Sequence, residues 1–173
     1  WIDPVNRSMG IDDKYIGGTK GSHLVLDHPA LRKAINDTEI FFENKDGRIV
    51  LIFPFYDKLI IGTSDLPIDD ADSARCTPEE EKYFIDLVSR VFPTMQIKPE
   101  IIVFKFTGVR PLEYMKAKTT GQISRDHTIK EDMIDGIPVY SLVGGKWTSY
   151  RAFSEQVASK SMQSLGGIHS KST

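Results

Sequence analysis

A single cysteine, Cys76, occurs among the 173 residues. The chain therefore has no disulfide framework of its own and no cysteine metal cluster. A reducing, intracellular setting fits this usage. The longest apolar stretch, residues 49–56, falls far short of the roughly 20 residues a membrane helix needs. The opening Trp1-Ile2-Asp3-Pro4 has neither the basic head nor the apolar run of a signal peptide, and a first tryptophan in place of methionine suggests an excised segment. Excess positive charge is missing too. Lysine and arginine total 22 against 24 acidic residues, a net charge of −2, which argues against the basic face of a duplex nucleic-acid binder. Net charge does not report placement, so a local basic pocket stays open. The four histidines, at 23, 28, 127 and 169, lack metal-ligand spacing, and no metal is expected. Neither G-x-G-x-x-G nor G-x-x-x-x-G-K-[ST] occurs, and Gly17-Gly18-Thr19-Lys20-Gly21 matches neither spacing. Repeats and low-complexity stretches are absent.

What is present reads as a folded domain. Hydrophobic residues make up 40% and charged residues 27%, and the length suffices to bury a core. Residues 20–26 form a first strand with Leu24 and Leu26 on one face, and residues 38–43 are a short β-prone run. Asn44-Lys45-Asp46-Gly47 supplies hairpin chemistry. Residues 48–55 are nearly all apolar, as for a strand covered on both faces. A turn at Tyr56-Asp57-Lys58 leads into a strand over 59–63, so the start of the chain is an antiparallel meander.

Thr77-Pro78-Glu79-Glu80 then combines an N-cap, a proline at the first helical position and a capping-box glutamate. Phe84, Leu87, Val88 and Val91 follow as one apolar stripe, and Pro93 stops the helix. Strands are expected over 101–107, 122–129 and 137–143, with Asp135-Gly136 near a turn. The final helix is expected from about Thr148, with Tyr150, Phe153 and Val157 turned inward. Strands, helix, strands, helix is the order of an α+β domain, an antiparallel β-sheet with helices packed on one face.

Several clusters are candidates for chemistry. The last strand runs through Gly144-Gly145-Lys146-Trp147-Thr148 into a helix. Paired glycines admit close approach, a helix start favours anions, and Lys146 adds a full charge; the plainer reading is a tight turn with Thr148 as N-cap. Arg110 stands between Gly108 and Pro111, and Arg125 ends a β-prone run; both residue types are usually exposed, but an arginine fork binds phosphate in two prongs. His23 lies on or beside the first strand, where a structural role is the commoner one. Asp126-His127 reads as a solvated turn, and Gly62-Thr63-Ser64-Asp65 as a simple one. Cys76 precedes a helix N-terminus, which can lower a thiol pKa, but no base partner is apparent. These residues together suggest a basic, anion-binding pocket assembled from strand ends.

Five blocks then occur in order: Gly18-Thr19-Lys20-Gly21-Ser22-His23, Ile61-Gly62-Thr63-Ser64-Asp65, Thr107-Gly108-Val109-Arg110-Pro111-Leu112, Ser124-Arg125-Asp126-His127, and Gly144-Gly145-Lys146-Trp147-Thr148-Ser149-Tyr150-Arg151. Together they resemble the FAD-dependent glycerol-3-phosphate dehydrogenases of the D-amino-acid-oxidase-like flavoprotein superfamily, over residues 15–160. The resemblance implies a substrate-binding roof, residues 15–143, preceded by a connector over 1–14. A glycine turn and helix over 144–165 would return to the FAD domain, and 166–173 would be a tail. The resemblance implies that the N-terminal Rossmann-like FAD domain and the C-terminal helical domain of the family lie outside these residues. The loop over 113–121, rich in lysine and threonine, departs from the family pattern.

The resemblance assigns roles residue by residue. Arg110 is placed at the chemistry, and Arg125, Lys146 and His23 in the substrate pocket. Gly144, Gly145, Lys146 and Thr148 meet the FAD. The implied reaction oxidises sn-glycerol 3-phosphate to dihydroxyacetone phosphate by hydride transfer to flavin N5, with electrons passing to a quinone or other acceptor. The implied setting is cytoplasmic, with peripheral attachment of the full enzyme to the inner face of a membrane. The fragment alone is expected to be inactive. Alternatives are a glycerol-3-phosphate oxidase using oxygen, an amine-oxidising member of the superfamily, and a non-catalytic anion-binding module.

Overall fold

The computed structural model describes all residues but 46, 116–119 and 168–173. Parts of three expected features thus lie outside the described residues: one position of the turn over 44–47, part of the loop over 113–121, and most of the tail over 166–173. The main elements, in order, are α1 (Ile2–Ser8), β1 (Thr19–Leu26), α2 (Pro29–Ile35), β2 (Ile40–Glu43), β3 (Ile49–Phe55), β4 (Lys58–Gly62), β5 (Leu66–Pro67), α3 (Pro78–Val91), β6 (Ile102–Arg110), β7 (His127–Ile134), β8 (Ile137–Gly144) and α4 (Tyr150–Ser164). They form two compact units. One is Thr19–Val109; the other combines Trp1–Gly18 with Arg110–Thr173.

In the unit Thr19–Val109 the sheet order is β2-β3-β4-β1-β5, with β6 also paired to β1. The meander is antiparallel, with Leu24 opposite Ile61 and Ile52 opposite Ile61 on the other side. Side chains alternate across a strand, so one face collects Leu24, Leu26, Val50, Ile52, Leu59 and Ile61, all fully buried. Leu31 and Ile35 of α2 and Phe84, Leu87 and Val88 of α3 pack on that face. Each such side chain contributes about 1.5–3 kcal/mol through removal from water. β3 was expected to be covered on both faces. Val50 and Ile52 are buried, but Ile49 and Phe55 are exposed, because the helices cover only one side of the sheet.

α3 begins where the sequence placed it. Thr77 Oγ1 accepts from the Glu80 N–H, and the Glu80 carboxylate accepts from the Thr77 N–H at 2.9 Å. α2 was not foreseen, since seven residues give too little periodicity. Its start is fixed by Pro29 at the first position and by His28 Nδ1, which accepts from the Leu31 N–H at 3.0 Å.

In the second unit β7 and β8 form a separate two-stranded antiparallel ribbon. Asp135 and Gly136, with φ of 48° and 79°, make the two-residue turn that sets its register. Strand β7 is therefore His127–Ile134, not 122–129. A hairpin strand must run to its turn, so the polar residues Lys130, Glu131 and Asp132 are drawn into the ladder. The expected connector over 1–14 contains α1, held by Asp3, whose buried carboxylate accepts from the N–H groups of Tyr15 and Ile16 at 3.0 and 3.1 Å. Asn6 Nδ2 donates to Ser141 Oγ at 2.9 Å, tying α1 to β8. In α4, Phe153 is buried and Val157 half-buried, but Tyr150 is 64% exposed rather than inward. A 3₁₀ turn, Trp147–Ser149, precedes α4 and rotates its first residue away from the core.

Candidate functional site

The turn after β8 is stitched to two other segments. The Gly144 N–H donates to the Pro111 carbonyl at 3.0 Å, and the Gly145 N–H to the Asp126 carbonyl at 3.1 Å. Arg110 immediately precedes Pro111, Arg125 immediately precedes Asp126, and Lys146 immediately follows Gly145. Backbone hydrogen bonds thus gather the chain segments that carry all three cations into one place within one unit. Arg125 and Lys146 are exposed, and Arg110 is half-buried.

Close approach explains the glycines. Gly144 and Gly145 adopt φ of 74° and 91°, a region costly for other residues. A Cβ on Gly144 would stand 2.3 Å from the Asp126 carbonyl oxygen. The nearest atom to a Cβ on Gly145 would be His127 Cβ at 3.4 Å. Gly144 is therefore demanded by the chain's own packing, and Gly145 chiefly by its backbone angle.

The N–H groups around this turn divide into two sets. Those of Gly144 and Gly145 are spent as described, and the Lys146 N–H donates to Ser149 Oγ at 3.0 Å. Ser149, not Thr148, makes the side-chain contact at this helix start, and Thr148 lies exposed within the 3₁₀ turn. Trp147 and Thr148 occupy the first helical positions, whose N–H groups have no intrahelical acceptor. With exposed Lys146 beside them, they suit a negatively charged or polarised group. Trp147 in this turn and Tyr150 just after it are 90% and 64% exposed.

Asp126-His127 is more than a solvated turn. The His127 ring stacks on Phe153 with centroids 4.4 Å apart, and His127 Nε2 lies 3.2 Å from Gln156 Oε1. The histidine thereby braces the Arg125 segment on α4. A histidine next to an aspartate carried no signal of that contact.

His23 belongs to the other unit, on the sheet face opposite α3. It lies opposite Gly62 and stacks on Phe106, centroids 4.7 Å apart and planes 4° from parallel. Behind it, on the covered face, sits a buried polar network that sequence reading missed. Lys20 Nζ lies 2.6 Å from Glu80 Oε2 and also donates to the Arg75 carbonyl. Ser64 Oγ donates to Glu80 Oε1 and accepts from the Ser22 N–H at 2.9 Å, so the supposed simple turn at 62–65 holds a wholly enclosed hydroxyl. Burial pushes the Glu80 carboxyl up, but hydrogen bonds from Lys20, Ser64, the Thr77 N–H and Ser22 together outweigh it and leave the pKa below the usual value. Cys76 lies just before a helix start, a position that can lower a thiol pKa, but its own is raised, first because it is removed from water.

The chain is 36% identical over 153 residues to a glycerol-3-phosphate dehydrogenase of Synechocystis, covering 87% of this chain and 27% of that protein. It is 30% identical over 159 residues to an aerobic glycerol-3-phosphate dehydrogenase of Staphylococcus aureus, covering 91% of this chain and 28% of that one. The fold is similar to the crystal structure of a glycerol-3-phosphate dehydrogenase from Bacillus halodurans complexed with FAD. There the TM-score is 0.76 and the identity 26%, over the whole of this chain and 32% of the other. The chain thus spans under a third of the proteins it resembles. With residues 1–139 matched by the FAD dependent oxidoreductase (DAO) family, this chain belongs to that family.

Proposed function

We propose that the chain is the substrate-binding part of an FAD-dependent enzyme that oxidises sn-glycerol 3-phosphate to dihydroxyacetone phosphate. The observation that carries the reading is the pair of backbone bonds joining Gly144 to Pro111 and Gly145 to Asp126, which gathers the segments bearing Arg110, Arg125 and Lys146. A phosphate dianion demands more than one cation, whereas a single arginine suffices for the carboxylate of an amino-acid substrate. Arg125 and Lys146 hold the phosphate in this reading. Arg110 stands at the carbon being oxidised, where a cation stabilises the alkoxide that develops as the hydroxyl loses its proton. His23, carried by the unit Thr19–Val109, is a substrate-facing residue proposed on its own account. Thr148 and Lys146, at the helix start beyond Gly144 and Gly145, face the flavin.

FAD, when bound, supplies the hydride acceptor, and most of its grip comes from the Rossmann-like domain that the longer relatives have room for. The 173 residues alone would not turn over substrate. A quinone is the proposed electron acceptor, and the proposed setting is cytoplasmic, with the full enzyme peripheral on the inner membrane face. The test is anaerobic mixing of the full-length flavoprotein with sn-glycerol 3-phosphate. Bleaching of the oxidised flavin by this substrate and not by sarcosine is expected. Bleaching by sarcosine alone would transfer the protein to the amine oxidases, and stoichiometric hydrogen peroxide under air would make it an oxidase.

A further inference from the structure

The surroundings of His23 contain a second level of organisation, confined to the unit Thr19–Val109. His23 projects from the sheet face that the helices leave open; Ser22, Leu24 and Leu26 project to the covered face. Its ring lies over Gly62, the residue opposite it on β4. A Cβ at position 62 would sit 2.1 Å from His23 Cδ2, 2.6 Å from Nε2 and 2.9 Å from Cγ. Gly62 does not have positive φ, so left-handed backbone is not what calls for glycine there. The imidazole itself occupies the room a side chain would take.

Phe106 of β6 closes the arrangement. Its ring is parallel to the imidazole within 4°, at 4.7 Å. Phe106 remains 40% exposed and His23 is only half-buried, so this stack is not part of the main core, which lies on the other face. The strands beneath are locked at the same level. Ser22 Oγ and Thr107 Oγ1, the immediate neighbours of the two stacked residues, are 2.9 Å apart. The Ser22 N–H is anchored on Ser64 Oγ, which is bonded to buried Glu80. The backbone is fixed from behind and the ring is held from in front.

We infer that Gly62 and Phe106 are positioning residues that hold the His23 imidazole in one orientation for the substrate, with Ser22, Ser64, Thr107 and Glu80 fixing the strands that carry the stack. The inference rests on the reading that His23 faces sn-glycerol 3-phosphate. An imidazole free to rotate about its side-chain bonds would present its nitrogens to the substrate for only part of the time. One confined between a neighbouring backbone and an aromatic face has lost that freedom before substrate arrives.

The experiment uses the full-length holoenzyme with ring-labelled histidine, the His23 signal being assigned through His23→Gln. Phe106→Leu removes the aromatic face, Phe106→Tyr keeps it, and Gly62→Ala fills the room under the ring. Three quantities are measured for each: bound FAD, kcat and KM for sn-glycerol 3-phosphate, and the nuclear Overhauser contact between the His23 ring protons and the α proton at position 62. In Phe106→Leu and Gly62→Ala that contact is expected to weaken, and kcat to fall about 10- to 100-fold with FAD retained. Phe106→Tyr is expected to recover most of both. If Phe106→Leu keeps the contact at wild-type strength, or loses it without changing kcat or KM, the positioning role is overturned. If the wild-type enzyme does not oxidise sn-glycerol 3-phosphate, yet the contact weakens in Phe106→Leu and returns in Phe106→Tyr, the clamp stands and the assigned substrate falls. Should Gly62→Ala fail to fold, the two Phe106 variants decide the matter alone.

Discussion

Lys20 Nζ lies 2.6 Å from Glu80 Oε2, with the two side chains retaining only 10% and 4% of their exposure. Glu80 thus has two duties. It closes the capping box of α3 and neutralises a lysine enclosed on β1. A buried ion pair adds little over an apolar pair of the same shape, but removing one partner strands the other charge out of water. Glu80→Ala is therefore expected to cost about 3–5 kcal/mol of folding stability. Lys20→Met with Glu80→Met should cost clearly less than the two single changes added together. Urea unfolding of the four proteins measures this. Additive costs would mean the pair is not coupled.

The same carboxylate makes stability depend on acid. Its folded pKa lies below the usual glutamate value: burial pushes it up, and hydrogen bonds from Lys20, Ser64, the Thr77 N–H and Ser22 together outweigh that push. A depressed folded pKa contributes stability that is present above the unfolded value, about 4.3, and is lost as pH falls through the folded value. Unfolding free energy should thus hold between pH 7 and about 5 as far as this group is concerned, and decline below about 4.3. The decline should be shallower in Glu80→Gln. Parallel curves for wild type and variant would remove Glu80 from the acid response.

At the glycine turn the two neighbours should respond differently. Gly144→Ala combines positive φ with a Cβ only 2.3 Å from the Asp126 carbonyl. A cost of about 2–4 kcal/mol is expected, together with weaker binding of sn-glycerol 3-phosphate in the full-length protein, because the Arg125 segment must shift. Gly145→Ala meets no atom nearer than 3.4 Å and should cost only the backbone strain, about 1 kcal/mol. Melting temperatures of the two variants decide it, with Gly144→Ala the lower.

Features that depend on short stretches of chain were readable from sequence. The capping box at Thr77 and Glu80, the alternation through Leu24 and Leu26, and the Asp135-Gly136 turn each carry their signal within a few residues. α1 and α2, of seven residues each, are too short for a helical period to emerge. β7 was misplaced because its polar residues are set by pairing with β8, which no local pattern records. Residue types at the candidate site were visible, but their partners were not. Nothing near Lys20 announces Glu80, sixty positions on. Nothing near His23 announces Phe106 or the seat of its ring over Gly62, because those contacts exist only once β1, β4 and β6 lie side by side.

The central claim is that the segments gathered by Gly144 and Gly145 deliver Arg110, Arg125 and Lys146 to one phosphate-bearing substrate. Steady-state turnover of sn-glycerol 3-phosphate by full-length wild type and Arg110→Ala, with bound FAD quantified in each, tests it most directly. The account predicts a fall in kcat/KM of at least about 100-fold, as for loss of one charge-stabilising donor, with FAD content unchanged. Equal kcat/KM in the two proteins would contradict it.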